Sequence, residues 1–177
     1  GEVMKGHCVD HEMDVIAHND KELILVEAKF HNAPGFKTDV KVALYIHARF
    51  LDLQAAQFEG LVPPGGTAHS WLVTNTKFTE NAIRDGKCVG MHLIGWGYPA
   101  KGNVQDLIEE AGLHPLSCLT TISAKEKDVL YQHGVVLCKG VVDNPNVLEV
   151  AGISGKKVDT ILAEASRLCV PFAPGTV

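Results

Sequence analysis

The segment that most constrains this chain is Glu22–Phe30, ELILVEAKF. Leu23, Ile24, Leu25 and Val26 are continuous and apolar, so the segment reads as a buried strand. Glu27 and Lys29 then close it, alternating with Ala28. Side chains two apart on a strand share a face, so Glu27 and Lys29 point the same way. Charges at the end of so apolar a strand are costly unless paired or used. One hairpin earlier lies Glu12–His18, EMDVIAH, a second strand candidate in which Glu12 and Asp14 also share a face. Asn19-Asp20 between the two tolerates left-handed backbone angles and favours a hairpin. Paired in this way, the carboxylates of Asp14 and Glu27 can face one divalent cation. Hard oxygen ligands suit Mg²⁺, which keeps several waters and binds through one or two carboxylates. Lys29 can hold a water or a phosphoryl oxygen as a point charge.

The rest of the chain sets the frame. Its 177 residues are 46% hydrophobic and 21% charged, enough apolar surface for one core with room for a second small one. This excludes a disordered protein. No run of about 18 apolar residues is present, so no membrane span is expected. No signal peptide is visible at the start of the chain, and a cytoplasmic location is expected. The net charge of −5 argues against non-specific coating of nucleic acid, though not against a nuclease, whose metal-binding carboxylates lower the net charge. Five cysteines, an odd number without a CxxC, argue against a zinc ribbon or a disulfide framework and are expected to be buried free thiols.

Residues 1–102 alternate between strand and helix patterns. Val3–Val9, Glu12–His18, Glu22–Phe30, His69–Asn75 and Val89–Trp96 are expected strands. Asn32-Ala33-Pro34-Gly35 breaks the third of them. A helix is expected from Lys37 or Thr38 to about Gln57, with Ala43, Ile46, Phe50 and Leu53 among its apolar stripe. A short helix is expected over Thr79–Asp85, capped by Thr79 and ended by Gly86. Residues 97–102 read as a linker. Beyond it helices are expected over Asn103–Ala111, Ser123–His133 and Gly155–Leu168, the second opened by a Ser123/Glu126 capping box. The division is therefore 1–102 and 103–177.

At Asp14…Glu27-Ala28-Lys29 the chain resembles the PD-(D/E)xK nuclease signature. The longer pattern E-x-D-V-I-A…V-E-A-K-F, with VTNTKFTENA and VGMHLIGW downstream, is similar to the Mrr-like branch of restriction endonuclease-like proteins. The resemblance covers about residues 3–98. It implies an α/β restriction-endonuclease-like mixed sheet flanked by helices, and Mg²⁺-dependent (or Mn²⁺-dependent) cleavage of DNA phosphodiesters. Asp14 and Glu27 would be the metal ligands and Lys29 the catalytic lysine. Glu12 matches an acidic position of this branch. Lys41-x-x-x-Tyr45 resembles the Q-x-x-x-Y element of related nucleases, with Lys in place of Gln. Such folds usually begin with a helix, and only two residues precede the first expected strand here. Many nucleases of this kind pair to cut both strands, so a homodimer is compatible with the resemblance.

The tail, a small all-α domain, carries a second resemblance. Leu148–Asp159, LEVAGISGKKVD, followed by Thr160–Leu168, is similar to a helix-hairpin-helix. Gly152 and Gly155 permit a tight turn. The following helix N-terminus, with Ser154, Lys156 and Lys157, can meet a DNA phosphate without reading sequence. The alternative is a packing hairpin with Ser154 as the helix cap. The function expected is a divalent-metal-dependent DNA endonuclease. The alternative is a non-catalytic nucleic-acid-binding or regulatory module that keeps a degenerate nuclease fold.

Overall fold

The computed structural model describes residues 1–32 and 35–170, and divides the chain into two units, 1–104 and 105–177. The first runs β1 (Glu2–Lys5), β2 (Asp10–Met13), β3 (Val15–His18), β4 (Glu22–Lys29), β5 (Lys37–Thr38), α1 (Val40–Ala55), β6 (Thr67–Thr74), β7 (Lys77–Phe78), α2 (Glu80–Cys88) and β8 (His92–Ile94). The main sheet has the order β3-β4-β6-β8; β3 is antiparallel to β4, whereas β4, β6 and β8 are parallel, so the sheet is mixed. Parallel neighbours need a crossover, and α1 and α2 supply the two. β1 pairs with β2, and β5 with β7, in separate two-stranded ladders.

The hairpin forms where the sequence placed it. Asn19 Oδ1 accepts hydrogen bonds from the backbone N–H groups of Lys21 and Glu22 at 2.8 and 3.0 Å, a side-chain turn that joins β3 to β4. Along β4 burial alternates: Leu23, Leu25 and Glu27 face inward, while Ile24 and Val26 are half-buried. Glu27 thus lies on the core face. The expected strand Glu12–His18 is cut in two at Asp14, because the Asp14 carboxylate takes the Ala28 N–H at 2.7 Å.

Other boundaries moved for identifiable reasons. The expected strand Val3–Val9 stops at Lys5, where the chain turns around Asp52. The Asp52 carboxylate accepts from Cys8 N and Val9 N, and a Cβ on Gly6 would lie 2.1 Å from Asp52 Oδ2. The long helix starts later than Lys37 or Thr38, which are drawn into β5 by pairing with β7; Asp39 is the cap instead, accepting from Lys41 N and Val42 N. It ends before Gln57, since Gln57, Phe58 and Glu59 have φ between 49° and 54°, a left-handed turn that buries Phe58 beside Phe50. Thr79 does cap α2, but Gly86 does not end it. The helix continues to Cys88, and Gly86 lies where a Cβ would be 2.7 Å from Leu93 Cδ1, so it serves close packing. That delays the next strand to His92. The stretch expected as a linker is partly packed: Tyr98 bonds back to Gly95 and meets Phe78 edge-on at 6.1 Å. Of the expected break at residues 32–35, Ala33 and Pro34 lie outside the described residues.

In the second unit the described regular elements are α3 (Val104–Ala111, beginning at the boundary), α4 (Ala124–Gln132), α5 (Cys138–Asp143) and α6 (Lys156–Cys169), with 3-10 segments at Leu116–Cys118 and Pro145–Ala151. The capping box at Ser123/Glu126 is complete. Leu116, Leu119, Leu130, Leu148 and Ile161 are fully buried around Val141 and Cys138, while Leu107 on α3 is 45% exposed. Among the described residues no helix is long and apolar enough to cross a membrane. All five cysteines are free, but Cys8, Cys88 and Cys118 are exposed rather than buried. Burial pushes the Cys138 thiol up to about 12.

Candidate active site

Strand period places Glu27 and Lys29 on one face of β4, and Lys29 Nζ donates to Glu27 Oε1 at 2.5 Å. The other carboxylate oxygen accepts from Arg49 Nη1 at 2.7 Å. Glu27 and Arg49 are both nearly fully buried, whereas the Lys29 side chain is 34% exposed. Arg49 comes from α1 and ties three elements together: its second amino group reaches the Glu12 carbonyl oxygen and Met13 Sδ at the end of β2. Its Nε has no partner among the described residues. One turn earlier on α1, the Tyr45 ring faces the Arg49 guanidinium at 5.3 Å.

Asp14 sits in the break between β2 and β3. The ladder runs Val15 opposite Val26, so Asp14 lies one step further, beside Glu27 and Ala28. Its side chain is exposed, with one oxygen committed to Ala28 N–H. A cleft of about 330 Å³ is lined by Asp10, His11, Glu12, Asp14, Glu27, Tyr45 and Arg49. The structure therefore gathers Glu12, Asp14, Glu27 and Tyr45 at one opening, with Lys29 bonded to Glu27 at its edge. Lys41 is exposed on α1 and does not line it. His11 is held by Asp52 at 2.8 Å. That hydrogen bond, against the opposing effect of burial, keeps the Asp52 carboxyl down at about 2.

The donor set bears on a metal. Four carboxylates (Asp10, Glu12, Asp14, Glu27) line the cleft; Glu27 is paired with Lys29 and Arg49, and Glu12 lies 3.5 Å from the Gly1 amino group. Among the described residues no group of three or more His, Cys, Asp or Glu side chains is disposed to cage a metal ion. Both Glu27 oxygens bond cations and one Asp14 oxygen takes the Ala28 N–H, so of these two carboxylates only the second Asp14 oxygen has no partner toward the cleft among the described residues.

Similarities to known proteins extend over both units. Residues 114–169 match the family model described as AF1548-like, C-terminal. An uncharacterized protein of Archaeoglobus fulgidus is 39% identical over 167 residues, covering 94% of this chain and 90% of that protein. The chain belongs to the AF1548-like family. The crystal structure of the protein of unknown function AF1548 resembles it with a TM-score of 0.64 at 38% identity, over 95% of this chain and 86% of that one.

The AF1548-like C-terminal match includes the hairpin-like segment. Gly152 takes a left-handed conformation, with φ of 71°, and Gly155 has φ of 63° and stands as the N-cap of α6. Ser154 is therefore not the cap, because the chain turns one residue later. Lys156 is exposed, but Lys157 is committed within its own unit, donating to both oxygens of Glu126 at 2.7 and 2.8 Å. That contact and the Ser123 hydrogen bonds hold the Glu126 carboxyl at about 2.

Sequence reasoning missed Arg49. The available signal was a guanidinium on the buried stripe of α1, three residues after Ile46 and four before Leu53, where an unpaired charge would be costly.

Proposed function

We propose that residues 1–104 form a restriction-endonuclease-like, divalent-metal-dependent DNA endonuclease domain of the PD-(D/E)xK type, and that the helical unit is an all-α appendage that holds DNA phosphates. The observation that carries this reading is that Asp14 and Glu27 line one acid-rich cleft, with Lys29 bonded to Glu27 from the same strand.

Asp14 and Glu27 would hold Mg²⁺ or Mn²⁺, which supplies an activated water and draws charge from the phosphodiester. The Ala28 N–H fixes the Asp14 carboxylate. Arg49 fixes Glu27 from the protein side, so that its rotamer is set before substrate arrives. Lys29 presents its ammonium at the cleft edge, where it orients a water or a phosphoryl oxygen. Tyr45 closes one wall. In the helical unit, Gly152, Ser154, Gly155 and Lys156 form the phosphate contact, with Lys157 reinforcing the turn through Glu126. The enzyme is cytoplasmic in this reading, and two copies pair for double-strand cleavage.

The test uses supercoiled plasmid with Mg²⁺ or Mn²⁺. The parent protein nicks it, and Asp14→Ala or Lys29→Ala lowers the rate by at least a hundredfold with an unchanged circular dichroism spectrum. A second reading has one observation in its favour. Both Glu27 oxygens are already bonded to cations, as in a structural ion-pair network. DNA binding without metal-stimulated cleavage of any DNA form selects that non-catalytic module and removes the enzyme.

A further inference from the structure

A second cleft, of about 670 Å³, lies at the carboxyl ends of all three parallel strands. His31, Phe36 and Lys37 follow β4, Asn75, Thr76 and Lys77 follow β6, and Trp96 follows β8. Ligands of open α/β sheets bind at this end of the strands. The volume falls in the usual range for a small-molecule or nucleotide site.

Its chemistry differs from that of the first cleft. No aspartate or glutamate is among its described lining residues, although the chain as a whole carries a net charge of −5. Lys37 and Lys77 are register partners across the short parallel ladder of β5 and β7, so two ammonium-bearing side chains leave neighbouring strands side by side. Neither makes an ion pair among the described residues. Like charges opposed across a ladder are unfavourable, and an anion between them relieves the repulsion. Aromatic faces accompany the charge: His31 and Phe36 stack at 4.8 Å with 23° between planes, and Trp96 is 42% exposed.

The platform is anchored from below. Asn75 bonds both backbone groups of His31 through its side-chain amide, accepting at Oδ1 and donating from Nδ2 at 2.9 Å each. Trp96 N–H donates to the Thr76 carbonyl at 2.9 Å. Thr38, Thr74 and Thr76 hydroxyls lie 3.0–3.1 Å from one another, and Thr74 Oγ1 donates to the Lys29 carbonyl at 2.8 Å. Thr76 of the cleft lining is therefore linked through Thr74 to the backbone of Lys29.

We propose that this cleft binds an unpaired nucleotide of a single-stranded DNA segment, its base against Phe36 and Trp96 and its phosphate between Lys37 and Lys77. Aromatic stacking beside lysines is the sequence-tolerant way of holding single strands. The choice of DNA rests on the endonuclease reading; the stacking and charge arguments do not. Together with the endonuclease reading, this makes the substrate single-stranded or locally unpaired DNA.

The chain has two tryptophans, so Trp71→Phe leaves Trp96 as the only indole reporter. In this background, titration with a thymidine dodecamer in EDTA is expected to quench the fluorescence. Lys37→Ala/Lys77→Ala, at exposed positions, weakens binding at least tenfold and flattens the salt dependence by about 0.7 per lysine. Phe36→Ala weakens it roughly tenfold. The proposal is overturned by an absence of quenching, by a double lysine variant that binds as the parent does, or by duplex binding as tightly as the single strand. It is equally overturned if thymidine monophosphate matches the dodecamer, which makes the occupant a free nucleotide, or if a uridine dodecamer binds tenfold tighter, which makes it RNA. Because no metal is present, quenching without later cleavage refutes the catalytic reading alone. Cleavage that proceeds with unaltered binding in the lysine variant refutes this proposal alone.

Discussion

Each unit contains a glutamate–lysine contact of similar length, and the two do different things. In the sheet unit Lys29 meets Glu27 at 2.5 Å; in the helical unit Lys157 meets Glu126 at 2.7 Å. The Glu27 side chain is 7% exposed and has a second, buried cation in Arg49, whereas Glu126 and Lys157 are 21% and 43% exposed. Glu126 also completes a helix cap with Ser123. The exposed pair fastens a helix end and is screened by water. The buried one fixes a carboxylate at the rim of an open cleft, a placement that stability alone does not require, since buried ion pairs contribute little net stability compared with apolar packing.

The sharpest way to break this contrast is Arg49→Met. It leaves the buried Glu27 with Lys29 as its sole cation and releases the end of β2, so we expect a loss of about 3–5 kcal/mol in urea unfolding. Combining it with Glu27→Gln removes the uncompensated charge and restores part of that loss, a coupling that a double-mutant cycle measures. A loss below about 1 kcal/mol for Arg49→Met would mean that Glu27 is solvated and the clamp is idle.

On the helical side the largest expected effect is at Glu164. Its two oxygens accept from the backbone N–H and hydroxyl groups of both Thr120 and Thr121 at 2.5–3.1 Å. Burial raises its pKa, but those hydrogen bonds outweigh the effect and hold it at about 2. Glu164→Leu leaves four donors without their acceptor, and about 2 kcal/mol is expected from thermal unfolding. Ser123→Ala, which removes one cap, is expected to cost about 1 kcal/mol.

These residues also mark what was legible in the sequence. Ser123 and Glu126 were readable because a capping box is written in three residues of spacing. The β3–β4 hairpin was readable for the same reason, through Asn19. The shared face of Glu27 and Lys29 followed from strand period alone. Arg49 was not readable, since its contact with Glu27 spans 22 residues and depends on which way α1 rotates over the sheet. Thr38 reads as a helix start because local propensity cannot anticipate pairing with Phe78, 40 positions later. The polar stretch Asn75-Thr76-Lys77 after a strand can be read as a phosphate contact, but the cleft it forms with Lys37 and Trp96 cannot, for a related reason. Its walls are three separate segments, brought together only when parallel strands place their carboxyl ends side by side.

The smallest expected effect sharpens the comparison most finely. Lys157→Met breaks a partly exposed ion pair, and about 0.5 kcal/mol is expected at pH 7. Its pH dependence is more informative than its size. The Glu126 carboxyl is lowered to about 2 from an ordinary 4.5, first by Lys157 and then by Ser123. A depressed carboxylate stabilises the fold above its unfolded value and loses that contribution as pH falls through its folded value. The advantage of the parent over Lys157→Met should therefore be constant above about pH 5, shrink between pH 4.5 and 2, and vanish below. Melting temperatures of both proteins across that range measure it. A gap that persists at pH 2 would show that Lys157 acts through packing of its aliphatic stem. Glu126 would then serve the helix cap alone, and the helical unit would owe nothing to the charge pair that distinguishes it from the Glu27 site.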